Sequence, residues 1–192
     1  MEIYLIRHTT PDVPKGVCYG QSDIDCTGSF YEEGNAVMEI LPSQLDAVYT
    51  SPLKRCSKLA HLISERKQIN LISDIRLLEL HFGDWEMKLW NDIDEEILNK
   101  WMADFVNIKA QGGENYNDLH IRTNSFLADL VGKQFKKIAI VTHGGVIRSM
   151  LASVVGLPLA NSFKLQVDYS SVTKIELNEN DCYNKIVFHN KR

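Results

Sequence analysis

The stretch Lys137-Ile138-Ala139-Ile140-Val141-Thr142-His143-Gly144-Gly145-Val146-Ile147-Arg148 decides the fold. Ile138 to Val141 are apolar without a break, the pattern of a central strand covered by helices on both faces, as in parallel sheets. The run stops at Thr142-His143, two glycines follow, and Val146, Ile147, Met150, Leu151 and Val154 then recur at helical spacing. A buried strand thus turns directly into a helix. In open α/β sheets ligands bind outside the carboxyl ends of the strands, which makes His143 a candidate functional residue.

The same alternation extends in both directions. Ile3 to Ile6 reads as a second buried strand, ending at Arg7-His8 before Pro11 and Pro14 block any regular element. Phe30 to Leu41 has a helical apolar face closed by Pro42, and Asp46 to Thr50 is strand-like. Ser51-Pro52 then predicts a helix opening, with Ser as N-cap and Pro in the first turn, and Leu53, Cys56, Ala60 and Ile63 as its inner face. Ile69 to Ile72 is strand-like, Trp90 to Ile108 is read as helical with an acidic outer face, and Gln111 to Asn115 is the clearest loop. An amphipathic helix with Leu119, Phe126 and Leu130 precedes the central strand, and strands are expected at 166–169, 172–177 and 186–188. Alternating strands and helices predict an α/β fold, a three-layer αβα sandwich with a mostly parallel central sheet. A single domain over 1–192 is expected, with a helical lid or lobe at about 85–117 whose Gly112-Gly113 pair lets it move.

Composition narrows the partners. The 192 residues are 44% hydrophobic and 24% charged, with a formal net charge of -4, so a core is affordable and no domain-wide basic field exists for nucleic acid or an anionic membrane. One anion pocket needs only a few cations and is not excluded. The scattered cysteines Cys18, Cys26, Cys56 and Cys182 lack zinc or redox spacing and read as reduced thiols. No apolar run approaches the ~18 residues of a membrane span, and nothing at Met1 resembles a signal peptide, which predicts a cytoplasmic protein.

Three strand ends carry the chemistry: Arg7-His8, Ser51 to Arg55, and Thr142 to Gly145. Two arginines and two histidines converging on one sheet edge make a phosphate pocket, because guanidinium matches phosphoryl oxygens bidentately and a helix N-terminus adds N–H donors. A neutral imidazole can attack phosphorus, and the departing alkoxide then needs a proton. Glu79, in the otherwise apolar Leu77 to Phe82 stretch, is the candidate acid. His61, His81, His120 and His189 form no HxH or HExxH pattern, so no metal site is expected. Trp85, Trp90 and Trp101 read as packing, and Arg122 and Arg148 as salt-bridge partners.

Taken in order, Leu5-Ile6-Arg7-His8-Thr9-Thr10, Thr50-Ser51-Pro52-Leu53-Lys54-Arg55, Leu78-Glu79-Leu80-His81-Phe82-Gly83-Asp84-Trp85-Glu86, Gly112-Gly113-Glu114-Asn115 and Val141-Thr142-His143-Gly144-Gly145 resemble the signature blocks of the histidine phosphatase (phosphoglycerate mutase-like) superfamily. The resemblance implies metal-independent phosphoryl chemistry without a cofactor. It implies His8 as the phosphorylated nucleophile, Arg7, Arg55 and His143 as the phosphate cradle, Glu79 as proton donor and the Gly144 N–H as a phosphate ligand. Within the superfamily, the Phe-Gly-x-Trp-Glu block and the Tyr19-Gly20-Gln21 loop look most like α-ribazole phosphatases of cobalamin synthesis and their broad-specificity relatives, with Gln21 at the substrate. The chain departs from the pattern at Thr9-Thr10-Pro11, at Pro14 where an asparagine is usual, and at Met87 where a glycine is usual; the Thr10 or Thr9 hydroxyl is the expected replacement phosphate donor. The expected activity is a phosphomonoesterase acting on a small-molecule phosphoester, as monomer or homodimer. A phosphoglycerate mutase and a non-catalytic phospho-ligand protein are the alternatives.

Overall fold

A computed structural model describes residues 1–192. Six strands form one sheet in the order β3-β2-β4-β1-β5-β6: β1 (Glu2–Arg7), β2 (Ala47–Thr50), β3 (Asn70–Ser73), β4 (Lys137–Thr142), β5 (Val172–Glu176) and β6 (Lys185–Lys191). β1 to β4 run parallel, while β5 and β6 add an antiparallel edge. β4 lies between β1 and β2, which is why Ile138 to Val141 are all fully buried. The alternation within β1 divides the core into two layers. Ile3 and Leu5 join Ile138 and Ile140 under one set of helices, whereas Tyr4 and Ile6 join Ala139 and Val141 under the other.

The second of these layers is roofed by α1 (Phe30–Ile40) and α2 (Lys54–Lys67), through Val37, Leu59 and Ile63. The first is roofed by α4 (Tyr116–Val131) and α5 (Gly144–Val155), through Phe126, Leu130, Ile147 and Leu151. This is the αβα sandwich expected. Local signals explain the helix ends. Asn115 and Asp118 form a reciprocal capping box at the start of α4, and Gly156, at φ 63°, closes α5 in the left-handed conformation.

Four local expectations are corrected. α2 begins at Lys54 with Leu53, extended at ψ 140°, as its N-cap; Ser51 Oγ accepts the Leu53 N–H only at 3.5 Å and lies closer, at 2.8 Å, to His143 Nε2. Residues 166–169 form no strand: guanidinium groups take the Leu165 and Val167 carbonyls, and the Asn190 side chain takes the Asp168 N–H. The helix expected over 90–108 shrinks to a 3-10 turn at Trp90–Asp92 and α3 (Glu95–Ala103), which Asp94 caps by accepting the Ile97 N–H.

The fourth concerns Gly112-Gly113, which sit in a close backbone contact. A Cβ on Gly113 would lie 2.2 Å from the His81 carbonyl, and one on Gly83 2.1 Å from the Gln111 carbonyl. The Asp84 N–H donates to Gln111 O and the Glu114 N–H to His81 O, both at 2.8 Å. These glycines let two chain segments press together. Trp85, Ile93, Trp101 and Ala110 from the lobe belong to the same buried cluster as the sheet. No helix is long and apolar enough to cross a membrane.

Candidate active site

A cavity of about 140 Å³ opens at the carboxyl ends of β1, β2 and β4. Arg7, His8, Arg55, Glu79 and His143 line it together, with Val17, Cys18, Tyr19, Phe82 and Trp90 toward the rim. β1 delivers Arg7 and His8, the first turn of α2 delivers Arg55, and the β4–α5 junction delivers His143. The rings of His8 and His143 meet edge to face, 5.2 Å between centroids.

His8 is buried and its Nδ1–H donates to the Thr9 carbonyl at 2.7 Å, so in the neutral ring Nε2 is the nitrogen with the lone pair. Burial, reinforced by the charges of Arg55 and Arg7, holds its pKa well below the ordinary 6.5. His143 is depressed in the same way, by burial first and then by Arg55, His8 and Arg7. Both rings are therefore neutral at pH 7. Ser51 Oγ and the Cys56 thiol, 3.5 Å from His143 Nε2, fix the second ring. Burial drives the Cys56 pKa up, which keeps that sulfur a thiol.

Arg55 is fully buried without a carboxylate partner. Its Nη1 and Nη2 donate to the Ser22 and Gly20 carbonyls at 2.7 and 2.6 Å, and its Nε has no acceptor. Arg7 lies under the Tyr169 ring at 3.8 Å, gives Nη1 to Val167 O at 2.6 Å, and also has an orphaned buried Nε. Two guanidiniums, each with a buried and unused Nε donor, beside one cavity have the chemistry to take an anion. The Gly144 N–H, first in α5, has no intrahelical acceptor and adds a donor at the helix's positive end.

Glu79 leaves the chain from an extended segment outside the sheet. Its Oε2 accepts the Gly145 N–H at 3.0 Å and its Oε1 the Leu80 N–H at 2.9 Å. No group of three or more His, Cys, Asp or Glu side chains is arranged to hold a metal ion.

Two expected ligands stand apart from this group. Thr10 does not line the cavity: its backbone N–H donates to Glu33 Oε2 at 2.9 Å and its hydroxyl faces the same carboxylate. Gln21 is likewise turned away, giving its side-chain amide to the Glu79 carbonyl at 2.9 Å. Both support the site from behind. Glu33 also accepts from Ser29 and Ser170, and Ser170 N–H donates to His8 O, so this carboxylate clamps the loop after His8. Burial would raise the Glu33 pKa, but the hydrogen bonds from Ser170, Ser29 and Thr10 outweigh it and hold the carboxyl low. Glu86 plays the same part for the 20–22 loop, accepting the Gln21, Ser22 and Phe82 N–H groups. Neither acid was legible as such, since an acidic residue in a first helical turn or a loop ordinarily faces water. Arg148 forms no ion pair; its Nε donates to Leu165 O at 2.9 Å and its guanidinium packs on Phe163. Pro14 sits in a turn whose carbonyl accepts the Val17 N–H and contributes nothing to the cavity.

Comparison with known proteins identifies the family. The profile described as "Histidine phosphatase superfamily (branch 1)" matches residues 3–190. The chain is similar to "Putative phosphoserine phosphatase 2" of Hydrogenobacter thermophilus, 28% identical over 180 residues, covering 91% of this chain and 89% of that protein. It is equally similar to "Adenosylcobalamin/alpha-ribazole phosphatase" of Escherichia coli, 28% identical over 185 residues and covering 93% and 91%. Among solved structures, the alpha-ribazole phosphatase of Shigella flexneri superposes with a TM-score of 0.91 at 26% identity, covering 100% of this chain and 96% of that one.

Proposed function

The chain belongs to the histidine phosphatase superfamily and is a phosphoric monoester hydrolase, and from that premise we propose that it works without a metal, through a phosphohistidine on His8, on a small-molecule phosphoester. The observation that carries the reading is the convergence of Arg7, His8, Arg55, Glu79 and His143 on one small cavity.

In the first step His8 Nε2 attacks phosphorus while the bond to the alcohol oxygen breaks, and Glu79 gives that oxygen a proton. In the second step Glu79 takes a proton from water, which attacks the phosphohistidine; the P–N bond breaks and neutral His8 and inorganic phosphate result. Arg7, Arg55, His143 and the Gly144 N–H meet the phosphoryl oxygens, where little covalent work remains beyond positioning and charge stabilisation. The donor set supports metal independence, because guanidiniums supply the cationic charge.

A cavity of about 140 Å³ falls below the ~300–1,000 Å³ of sites that enclose whole drug-sized ligands, so it suits the phosphoryl group and a small part of the alcohol. The remainder of the alcohol lies along the rim of Tyr19, Phe82 and Trp90, to which the 85–117 lobe contributes. α-Ribazole phosphate is the substrate we place first, on the strength of the alpha-ribazole phosphatase relatives, with phosphoserine beside it. The acidic net charge supports a small phosphoester, rather than nucleic acid or a membrane, as the partner of a cytoplasmic monomer or homodimer.

The test is hydrolysis of para-nitrophenyl phosphate in EDTA, with an acid-labile phosphoenzyme trapped on quenching. His8→Ala should abolish both; an active His8→Ala variant refutes the mechanism. A panel containing α-ribazole phosphate and phosphoserine then ranks substrates by kcat/KM.

A further inference from the structure

The segment from Arg76 to His81 that carries Glu79 pairs with no strand. Three of its carbonyls are taken instead by one side chain, Arg122 of α4, with Gln21 sharing that of Glu79 and the Thr142 hydroxyl taking that of Leu77. Nη1 donates to Arg76 O at 2.8 Å and Leu78 O at 2.5 Å, and Nη2 to Glu79 O at 2.9 Å. Nε and Nη2 grip Glu114 Oε1 at 3.1 Å and Oε2 at 3.0 Å. A guanidinium has five N–H donors, and all are in use. Glu114 closes the arrangement: its Oε2 accepts the His81 N–H at 3.0 Å while its own N–H donates to His81 O. The two side chains are 17% and 24% exposed, so they are largely shielded from screening by solvent.

We propose that Arg122, locked by Glu114, is a positioning residue for Glu79. The pair does for this unpaired segment what a neighbouring strand does elsewhere, and it fixes where the carboxyl meets the departing oxygen. This rests on the reading of Glu79 as proton donor. The carboxyl of Glu79 accepts two hydrogen bonds, from the Gly145 and Leu80 N–H groups, so the placement of its backbone helps to set the placement of its acid. A planar fork is required. Lysine offers one nitrogen, which cannot span three carbonyls and a carboxylate.

A change in proton donation is separable from general damage by the leaving group. An alkoxide needs the proton, whereas para-nitrophenolate departs without it. The experiment measures kcat/KM, which covers the steps up to loss of the alcohol, for para-nitrophenyl, phenyl and alkyl phosphates. The enzymes compared are wild type, Glu79→Gln, Arg122→Ala, Arg122→Lys and Glu114→Gln, each checked by thermal unfolding. Both Arg122 variants should lose about threefold or less on para-nitrophenyl phosphate and about 30-fold or more on the alkyl ester, reproducing in milder form the steepened dependence of Glu79→Gln. Glu114→Gln, which sets an amide donor against donors, should shift the same way and decides the matter if the Arg122 variants do not fold. An equal loss across the series, or none, overturns the proposal. If Glu79→Gln steepens the dependence and the Arg122 and Glu114 variants do not, only the positioning role falls; if Glu79→Gln leaves it flat, the proton-donor reading falls too.

Discussion

Gly145→Ala should separate stability from catalysis. Gly145 is the second residue of α5, buried, and absent from the positive-φ glycines, so its backbone accepts an alanine. By propensity alone the change stabilises a helix by about 1 kcal/mol. The new Cβ, however, would stand 2.3 Å from Glu79 Oε1 and 3.2 Å from its Cδ. The atom in the way is the end of a flexible side chain, so the carboxylate swings aside and the backbone stays. Losing its charge-assisted bond from the Gly145 N–H costs about 1.5 to 3 kcal/mol at most, offset by renewed contact with water and by the helix gain. The net change is within about 1 to 2 kcal/mol, a shift of less than about 8 °C in Tm. The proton donor, by contrast, leaves its place by an ångström or more, for which a loss of about 100-fold in kcat/KM on an alkyl phosphate is expected. The assay pairs thermal unfolding with steady-state kinetics on the same preparation. Wild-type kcat/KM in the alanine variant would refute the claim that Glu79 acts from where it stands, and collapse of the fold would refute the claim that the side chain absorbs the clash.

Three further outcomes follow from the geometry. Because His8 and His143 have folded pKa values below the ordinary 6.5, the unfolded chain binds protons that the folded one refuses as pH drops under that value. Stability is thus full above it and declines on acidification, by up to about 1.4 kcal/mol per pH unit for each ring; urea unfolding of His143→Gln should show a correspondingly flatter decline. Gly83→Ala combines a φ of 55° with a Cβ 2.1 Å from a backbone carbonyl, so it should lose at least about 2 kcal/mol in a denaturant titration. Met87 is held at φ 64° with its side chain 55% exposed, so Met87→Gly should raise stability by up to about 1 kcal/mol, with Met87→Ala giving no such gain.

What could be read in advance divides along a physical line. Features that repeat at short range were legible. The unbroken run at Ile138 to Val141 announced a central strand, and the residues following β1 and β4 announced the sheet edge where His8 and His143 meet. What escaped was chemistry supplied from far along the chain. Nothing near 166–169 reveals that Arg7 and Arg148 take the neighbouring carbonyls in place of a strand partner. Ser51 has the local character of a helix cap and serves a histidine 92 positions away. Thr10 and Gln21 have the right composition for phosphate ligands, but Glu33 and the Glu79 carbonyl hold them first. Arg122 looks like an ordinary helix-surface cation until the unpaired carbonyls opposite it are counted. At Met87, the departure from the usual glycine coincides with a left-handed backbone, so that chain reversal is strained rather than absent.

The orphaned Nε groups of Arg7 and Arg55 also affect the end of the catalytic cycle. Neither guanidinium forms an ion pair, and Glu79 is the one carboxyl that shares their cavity, so the two arginines leave positive charge there for an anion to meet. Whatever anion enters relieves it, and inorganic phosphate carries the same oxygens as the group just removed. On the proposed mechanism the feature that captures substrate also favours retention of product, so added phosphate should slow turnover and raise the temperature of unfolding as its concentration rises.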